Sequence, residues 1–481
     1  MNRGVMPGWG LTRMMQHISR GAIAAALIAL AGPSFAADMA WRTAAPPESV
    51  YSWTGLYVGA NVGLGVSDTP TNYGIGSVPG LFPRFDSGAA SLIGGGQVGY
   101  NIQTGSWVFG VEADFQGSTV GSSDNCVLGC QPFLSLNHTT DLPWFGTVRG
   151  RIGTATGGLL LYYTGGFAYG DVKSHVAETF GISAGTLDFT ETRFGWTVGS
   201  GVEAALGGNW TGRVEYLYVD LGTMSNSFTL NGLPHTYSTD VQQHVFRVGL
   251  NYRFGPAAQV PPPLMQPGRW AGFYGGFNFG NAVGRGSATL SLVPFINDSF
   301  AVQPTGWFGG GQIGYNWQFR TDYVLGLEAD LQGSGQDSDQ NCALTCSTAV
   351  TAILKQELPW WGTVRGRLGY TVGPALFYVT GGFAYGGVKN KVTETIPGSA
   401  TTTVSASDTL TGWTLGGGVE TPVGQILNWN FPNWTVRTEY LYVDLGSSTM
   451  SYTYAANAHV LTTDVRNHVF RTSVNYLFNW P

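Results

Sequence analysis

The sequence has little charge and no long apolar run. Only 11% of its 481 residues are charged, whereas a typical soluble domain has about a quarter, so an ordinary soluble surface is excluded. Beyond the N-terminal region no segment offers the roughly 18 uncharged apolar residues that a membrane-spanning helix needs, and the mean hydropathy is only +0.03. A helical membrane protein is therefore excluded as well. A membrane location would require strands that close into a barrel.

Cysteine is also scarce. The four cysteines form two C-x3-C pairs, Cys126 with Cys130 and Cys342 with Cys346. In an exported protein an even number of cysteines at short spacing predicts local disulfides. A metal site is the alternative, but neither pair has a histidine or a further cysteine beside it, so we predict two disulfides and no metal.

Motifs for catalysis and for cofactors are missing too. The sequence has no nucleophile elbow, P-loop, HExxH motif or dinucleotide fingerprint. We therefore expect neither enzymatic activity nor a cofactor.

The first 36 residues predict a secretory signal peptide. Three basic residues precede the 12-residue apolar run GAIAAALIALAG, which is too short to span a membrane. These basic residues are Arg3, Arg13 and Arg20. Ser34 and Ala36 occupy the small-residue positions of a cleavage site, so we expect cleavage after Ala36. Because the segment before the apolar run is long, translation could start at Met14 or Met15 instead of Met1.

Removal of this segment makes the chain more acidic. The net charge of −6 includes three positive charges of the signal, and their loss leaves −9. An acidic exported protein is a poor candidate for binding nucleic acid.

The remaining chain consists of two copies of one pattern. The paired segments, in the same order in each copy, are GGGQVGYN and GGGQIGYN, VFGVEADFQGS and VLGLEADLQGS, LPWFGTVRGRIG and LPWWGTVRGRLG, YTGGFAYG and VTGGFAYG, VEYLYVDLG and TEYLYVDLG, HVFRVGLNYRF and HVFRTSVNYLF. Their common order indicates a tandem duplication. We assign an extended N-terminal linker to 37–50, the first repeat to 51–255, a proline-rich linker to 256–268 and the second repeat to 269–481.

Each repeat contains eight segments in which apolar and polar residues alternate. In the first repeat they begin near Thr54, Gly94, Val108, Trp144, Leu159, Gly195, Trp210 and His244. We predict long polar loops near 67–89, 118–141, 171–193 and 223–243, separated by short turns. Long loops on one rim, tight turns on the other and strands of about 10 residues are typical of outer-membrane barrels. The predicted fold class is therefore all-β, a transmembrane antiparallel up-and-down β-barrel.

The sixteen predicted strands can form either two barrels or one. We predict two tandem eight-stranded barrels, because the proline-rich linker is longer than the short turns and each repeat ends like a closing strand. The alternative is one sixteen-stranded barrel, in which the last strand of the first repeat pairs with the first strand of the second.

Alternation along the strands assigns one face to lipid and the other to the lumen. The lumen set of the first repeat has four acids and four bases, and so does that of the second. These residues are Glu112, Asp114, Arg149, Arg151, Glu203, Arg213, Glu215, Arg247, Glu328, Asp330, Arg365, Arg367, Glu420, Arg437, Glu439 and Arg471.

An eight-stranded barrel has an interior that side chains just fill, and buried charges require partners. The balanced numbers therefore favour a lumen closed by ion pairs. A charged ring that selects ions in an open pore is the alternative.

Histidines offer a weaker signal. Those in the predicted external loops are His138, His175, His235 and His459. Histidine is a ligand of haem and of metals, but a lone loop histidine is usually solvated. His244 and His468 occupy the same position in the last strand of each repeat, where we predict them at the outer membrane interface.

The motifs WTGLYVGANVGLG, GGGQVGYN, FGVEADFQGS, GTVRGRIG, YTGGFAYG and VEYLYVDLG together resemble one family. It is the alphaproteobacterial outer-membrane immunogenic protein family, whose members have OmpA-like eight-stranded barrels and are often called porin family proteins. The resemblance covers nearly all of each repeat and implies an outer-membrane location, surface-exposed loops and a structural or weak-porin role. The chain departs from the family in having two barrels. It also departs in the residues Asn479, Trp480 and Pro481 after Phe478, since family members tend to end on an aromatic residue.

We therefore expect a non-enzymatic outer-membrane barrel protein with a structural or surface-antigen role. A porin that passes small hydrophilic solutes is the alternative, and haemin binding by the external loops is a further one. The expected partners are outer-membrane lipids and the barrel-assembly machinery, with small solutes or haemin added under the alternatives.

Overall fold

The computed structural model describes most of the chain after residue 50. The described residues are 51–75, 84–86, 90–119, 125–131, 134–156, 158–180, 183–230, 232–255, 270–293, 296–320, 322–338, 341–344, 351–372, 375–395, 399–422 and 433–478. The predicted signal peptide, the two linkers and the chain end after Phe478 lie outside these ranges. No helix that could cross a bilayer occurs in the described part of the chain.

The strands of the first repeat are β1 Gly55–Asp68, β2 Pro70–Ile75, β3 Arg84–Asp86, β4 Ala90–Thr104, β5 Trp107–Ser118, β6 Asn125–Gln131, β7 Leu134–Thr156, β8 Leu159–Phe180, β9 Ser183–Gly207, β10 Trp210–Leu230 and β11 Leu233–Arg253. Those of the second repeat are β12 Gly272–Gly284, β13 Gly286–Val293, β14 Ile296–Val302, β15 Thr305–Phe319, β16 Tyr323–Asp337, β17 Asn341–Leu344, β18 Thr351–Val372, β19 Ala375–Thr395, β20 Thr402–Pro422, β21 Trp434–Tyr454 and β22 Asn457–Phe478.

Each repeat closes into its own antiparallel ring of eight strands. The first ring runs β1-β4-β5-β7-β8-β9-β10-β11 and returns from β11 to β1, where Tyr57 pairs with Arg253. The second runs β12-β15-β16-β18-β19-β20-β21-β22 and returns to β12, where Phe273 pairs with Phe478. The prediction of two tandem eight-stranded barrels is thus confirmed. The sixteen-stranded alternative is wrong, because the last strand of each repeat pairs with the first strand of the same repeat.

The remaining strands lengthen the walls at one rim. β2 pairs with β11 and β3, while β6 pairs with β7. β13, β14 and β17 do the same on the second ring. At the other rim of the first barrel the described connections are short, as at Gly105, whose φ of +61° suits glycine.

The ring strands are much longer than the sequence predicted. β7 has 23 residues and β9 has 25, so the predicted loops at 118–141, 171–193 and 223–243 are largely strand. The prediction was wrong because it used the thickness of the bilayer to limit strand length, whereas these strands continue beyond the membrane.

A band of exposed apolar side chains marks the membrane-facing part of each wall. Near the short turns it begins at aromatic residues such as Trp107 and Trp210, and these are half exposed. At the other limit Trp144 stacks on Phe115 at 5.4 Å between ring centroids. Aromatic residues at both limits are the pattern of an outer-membrane barrel.

Above Trp144, toward the rim with the long strands, the polarity of the inner and outer faces is reversed. Apolar side chains now point inward and form a core that includes Val172, Val176 and Leu217 in the first barrel. A corresponding core in the second barrel includes Val388 and Leu441. Each barrel is therefore membrane-like in its lower part and resembles a soluble barrel, with an apolar interior, in its upper part.

Candidate functional site

The charged residues predicted for the lumen of the first barrel meet in one cluster. Strand register places Glu112 of β5 opposite Arg149 of β7, and Glu215 of β10 opposite Arg247 of β11. On the other side of β10, Arg213 lies opposite Glu203 of β9. Because residues two apart share a face of a strand, the charges of each strand point into the lumen, and the register places the members of these pairs beside one another.

Arg149 contacts three carboxylates at once. Its guanidinium lies 2.5 Å from Glu112, 2.8 Å from Asp114 and 3.0 Å from Glu215. Arg247 completes the same group from the opposite wall, at 2.8 Å from Asp114 and 2.5 Å from Glu215. The planar guanidinium bridges several carboxylates at once, which an ammonium group does less well.

The other two arginines extend the cluster toward the short turns. Arg213 lies 2.5 Å from Glu112, and Arg151 lies 2.8 Å from Glu203. The structure therefore brings all eight predicted residues of the first lumen into one connected network, in which each arginine contacts at least one carboxylate.

Neutral polar residues that the sequence analysis missed complete this network. The hydroxyl of Tyr57 donates to Glu112 at 2.6 Å, and that of Tyr162 donates to Glu215 at 3.0 Å. Gln97 donates to Asn251, which in turn donates to Glu203 at 2.9 Å. The tyrosines were overlooked because an aromatic side chain in a barrel strand usually indicates the lipid face. Each of them faces a glycine on a neighbouring strand, Gly99 for Tyr57 and Gly201 for Tyr162, and this pairing is the signal that would have found them.

Inward-facing glycines make room for the large side chains of the cluster. A Cβ at Gly99 would lie 2.3 Å from the hydroxyl of Tyr57, and a Cβ at Gly110 would lie 2.3 Å from the side-chain oxygen of Asn101. By contrast, the nearest atom to a Cβ at Gly96, on the outer face, would be 3.6 Å away. The glycines of the inner face are therefore part of the packing of the lumen.

The second barrel repeats the arrangement residue by residue. Arg365 contacts Glu328, Asp330 at 3.0 Å and Glu439 at 3.0 Å. The remaining contacts join Arg367 to Glu420, Arg437 to Glu328, and Arg471 to Asp330 and Glu439. Tyr274 and Tyr378 stand where Tyr57 and Tyr162 stand in the first barrel.

Both clusters are shielded from solvent. Arg149, Arg247, Arg365 and Arg471 are between 0% and 2% exposed, and equal numbers of acids and bases leave each eight-residue cluster with no net formal charge. Buried charges are tolerated under these conditions, since each has an opposite charge and hydrogen bonds.

The histidines do not lie in external loops, so that prediction was wrong. His138 and His235 lie on β7 and β11, and both are buried inside the upper part of the first barrel. His459 occupies the equivalent position to His235 on β22, and His175 lies on β8. The error follows from the underestimated strand length.

His138 belongs to a neutral hydrogen-bonded group. Its Nε2 lies 2.9 Å from the hydroxyl of Ser174 and 3.2 Å from that of Tyr237. Burial, with a smaller effect from the charge of His175, lowers the pKa of His138 to about 3. This histidine is therefore neutral at ordinary pH, and its imidazole is enclosed by the barrel wall.

The other histidines pair with acids or tyrosines. His235 lies 3.2 Å from Glu178, and His459 lies 3.1 Å from Glu394 at the equivalent place. His175 is the exposed one of the four, at 2.6 Å from Asp188. No group of three or more His, Cys, Asp and Glu residues suited to a metal ion occurs within the described ranges. The side chains of the four cysteines lie outside the described part, and the two disulfides remain predictions.

His244 and His468 lie further from the end of the strand than predicted. They stand in the middle of β11 and β22, which begin at Leu233 and Asn457. The Nδ1 of His244 lies 2.8 Å from the hydroxyl of Tyr216, and the equivalent pair His468 and Tyr440 is 2.7 Å apart.

Comparison with known proteins agrees with this architecture. The family model described as "Outer membrane protein beta-barrel domain" matches the chain twice, at residues 22–254 and 260–478. The "31 kDa outer-membrane immunogenic protein" of Brucella melitensis is 39% identical over 263 residues, which is 50% of this chain and 100% of that protein. The "22 kDa outer membrane protein" of Rhizobium leguminosarum is 34% identical over 44% of this chain and 82% of its own length.

Solved structures give weaker matches. Neisserial surface protein A is 14% identical, with 42% of this chain aligned to 98% of that chain at a TM-score of 0.21. The two matches of the family model cover nearly the whole of both repeats. The chain belongs to the outer-membrane β-barrel family and carries two copies of its domain in tandem.

Proposed function

We propose that the protein is a structural component of the outer membrane whose two lumens are closed. The observation that carries this proposal is the connected, charge-balanced cluster in each barrel, with side chains such as Arg247 and Glu215 at 2.5 Å and fully buried. An ion that crosses the lumen would have to break several of these contacts. Leaving one buried charge without its partner costs about 3–5 kcal/mol.

A second layer supports closure. In the first barrel the apolar core that contains Val176 and Leu217 fills the interior above the ion pairs. Below them, Tyr51, Trp53 and Leu160 form another buried apolar cluster near the short turns. Solutes would therefore meet apolar packing on both sides of the charged layer.

The external rims carry the differences between the two repeats. SVPGLFPRFDSG of the first repeat stands where the second has LVPFINDSFAVQ. We propose that these rims face the environment and act as the surface-antigen part of the protein, as the names of its immunogenic relatives suggest. We further propose export by the signal peptide at 1–36, insertion by the barrel-assembly machinery, outer-membrane lipids as the surrounding partner, and no enzymatic activity. Haemin binding loses its original support, because three of the four histidines thought to be in loops are buried.

Single-channel recording in planar bilayers tests the closed lumen. We expect the purified full chain to give no long-lived conductance steps, and we expect the same of Arg151→Ala and of the more exposed Arg193→Ala. Stable steps in the wild-type protein would favour the porin alternative. That alternative would gain further support if the lumen variant changed ion selectivity while Arg193→Ala did not.

A further inference from the structure

Some outward-facing residues of the membrane band are buried, although their neighbours are exposed. Val202, Val214 and Val419 face away from their lumens, yet they are between 1% and 7% exposed. Elsewhere on the same band Phe277 is 77% exposed. These buried residues belong to apolar clusters that contain side chains of both barrels. The outer wall of each barrel is therefore covered by the wall of the other along one strip.

The contacts along this strip are reciprocal. The ring of Phe246 stacks on that of Tyr440, with centroids 5.3 Å apart, and the ring of Tyr216 packs against that of Phe470 at 5.1 Å. Phe246 and Phe470 occupy one position of the repeat, HVFR, while Tyr216 and Tyr440 occupy another, EYLY. One contact is thus made twice with the roles of the repeats exchanged, which is the property of an interface with twofold symmetry.

The strip also brings together residues that lie at the same height along the axes of the two barrels. Leu159 and Ala375, which follow the short turns of their repeats, share one cluster. Val66 and Val283, at the opposite limit of the band, share another. Equal heights meet only when both barrels point the same way, so the approximate twofold axis lies along the membrane normal.

The tyrosines of the strip have partners for their polar groups. The hydroxyl of Tyr216 lies 2.8 Å from Nδ1 of His244, and that of Tyr440 lies 2.7 Å from Nδ1 of His468. His244 also stacks on Phe470 of the other barrel, with centroids 5.7 Å apart and an interplanar angle of 15°. Because lipid offers no hydrogen bonds, these pairs allow polar aromatic residues to lie in an apolar contact.

From these contacts we infer that the two repeats form a fixed parallel pair in the membrane, joined by the strip of Val202, Tyr216, Phe246, Val419, Tyr440 and Phe470. The partner of each face is the other repeat of the same chain. Packing and aromatic contact hold the strip, since apolar side chains gain little by leaving lipid. The two external rims are then presented as one surface with a constant mutual orientation.

Cross-linking within the full chain tests this inference. The four native cysteines are changed to serine and a protease site is placed in the linker at 256–268. The test pairs are Phe246→Cys with Tyr440→Cys, and Tyr216→Cys with Phe470→Cys. The control pair is Val111→Cys with Leu327→Cys, which are also equivalent positions of the two repeats but are 62% and 56% exposed on the band. A short bifunctional thiol reagent that spans two stacked rings is added to protein in lipid vesicles.

After cleavage of the linker, a non-reducing gel shows which chains are still joined. A flexible linker alone would bring the test and control pairs together to a similar extent, whereas a fixed strip should favour the test pairs by at least about fivefold. Equal cross-linking of test and control pairs, or none in the test pairs, would overturn the inference. Joined species of twice the chain mass before cleavage would show that the partner is another chain and would also overturn it. The heat-dependent gel mobility of each variant confirms that its barrels are folded.

Discussion

Replacement of Arg149 by leucine is the most direct test of the closed lumen. The guanidinium contacts Glu112, Asp114 and Glu215 at 2.5–3.0 Å. Leucine retains part of the side-chain volume but leaves four carboxylates with three guanidiniums. Loss of one partner from a buried ion pair costs about 3–5 kcal/mol, so we expect the free energy of unfolding of the first barrel to fall by that amount.

A second estimate of the loss gives a similar value. Each of the three carboxylates keeps another arginine, such as Arg213 for Glu112 and Arg247 for Asp114. The variant therefore suffers from charge imbalance, which protonation of one carboxyl relieves. An ordinary carboxyl group has a pKa near 4.3, and its protonation costs about 1.4 kcal/mol for each pH unit above that value. At pH 7 the cost is therefore about 4 kcal/mol. The loss should consequently shrink by about 2.7 kcal/mol when the pH falls from 7 to 5.

Denaturant unfolding in detergent micelles measures this loss through tryptophan fluorescence and heat-dependent gel mobility. The second barrel is an internal reference, because its own cluster around Arg365 is unchanged. Arg193→Leu is the external control, since Arg193 is partly exposed and its pair with Glu191 should contribute less than about 1 kcal/mol. The variant Arg365→Leu should give the mirror result, with the second barrel destabilised and the first unaffected.

The double variant Arg149→Leu with Asp114→Asn decides whether charge is the cause. It restores equal numbers of acids and bases, so at least about 2 kcal/mol of the loss should return as a coupling energy. Simple addition of the two single losses would refute the electrostatic reasoning. A loss below about 1 kcal/mol in Arg149→Leu itself would show that the lumen admits water and is not closed.

Two further predictions concern packing and pH. Gly99→Ala should reduce the folded fraction seen by gel mobility, because its Cβ would lie 2.3 Å from the hydroxyl of Tyr57, whereas Gly96→Ala on the outer face should fold normally; equal folding of the two would contradict the proposed role of inward glycines. Burial holds the pKa of His138 at about 3 in the folded barrel, whereas the pKa in the unfolded chain is near 6.5. The free energy of unfolding is therefore highest above about pH 6.5 and falls as the pH falls toward 3. At pH 4.5 the loss should be about 2.7 kcal/mol. His138→Leu, which installs the residue of the second repeat at Leu354, should remove this part of the pH dependence of unfolding, and an unchanged pH profile would contradict it.

The sequence predicted the lumen cluster because the period of a strand is two. Arg149 and Arg151 lie two residues apart, as do Arg213 and Glu215, so alternation places each pair on one face. The equal numbers of acids and bases then suggested that the inward faces of the different strands form ion pairs with one another. The contact of Arg149 with Glu215 on a distant strand, in addition to its contacts with Glu112 and Asp114 on the neighbouring strand, depends on the closure of the ring and cannot be obtained from alternation alone.

The upper part of each barrel was missed for a physical reason. Alternation identifies an apolar and a polar face of each strand, but it does not say whether the apolar face points into the barrel or out of it. In the membrane the apolar face points outward, whereas beyond Trp144 the apolar Val172 and Val176 point inward. The apolar side chains therefore change from the outer to the inner face where the strands leave the membrane, and for this reason the sequence pattern placed His138 in a loop.

The same contrast explains how the two repeats have diverged. All eight lumen charges, together with Tyr57 and Tyr162, have identical counterparts in the second repeat. Above them, His138 and Tyr237 are replaced by Leu354 and Leu461. A change of one lumen charge leaves its partners unbalanced and costs about 3–5 kcal/mol until a second change compensates. Exchange of a neutral hydrogen-bonded group for well-packed apolar side chains is nearly neutral.

Divergence between the repeats should therefore follow the strength of coupling rather than burial, because both layers are equally buried. Exchange of the upper layer tests this directly. The pair His138→Leu with Tyr237→Leu removes both of these partners of the buried Ser174 hydroxyl and should therefore cost the first barrel no more than about 1–3 kcal/mol. Exchange of Glu112 and Arg149 for leucine together should still cost more than that, because Asp114, Arg213 and Arg247 lose contacts that leucine does not replace. Equal losses for the two double variants would show that burial alone, and not charge coupling, has kept the lumens alike.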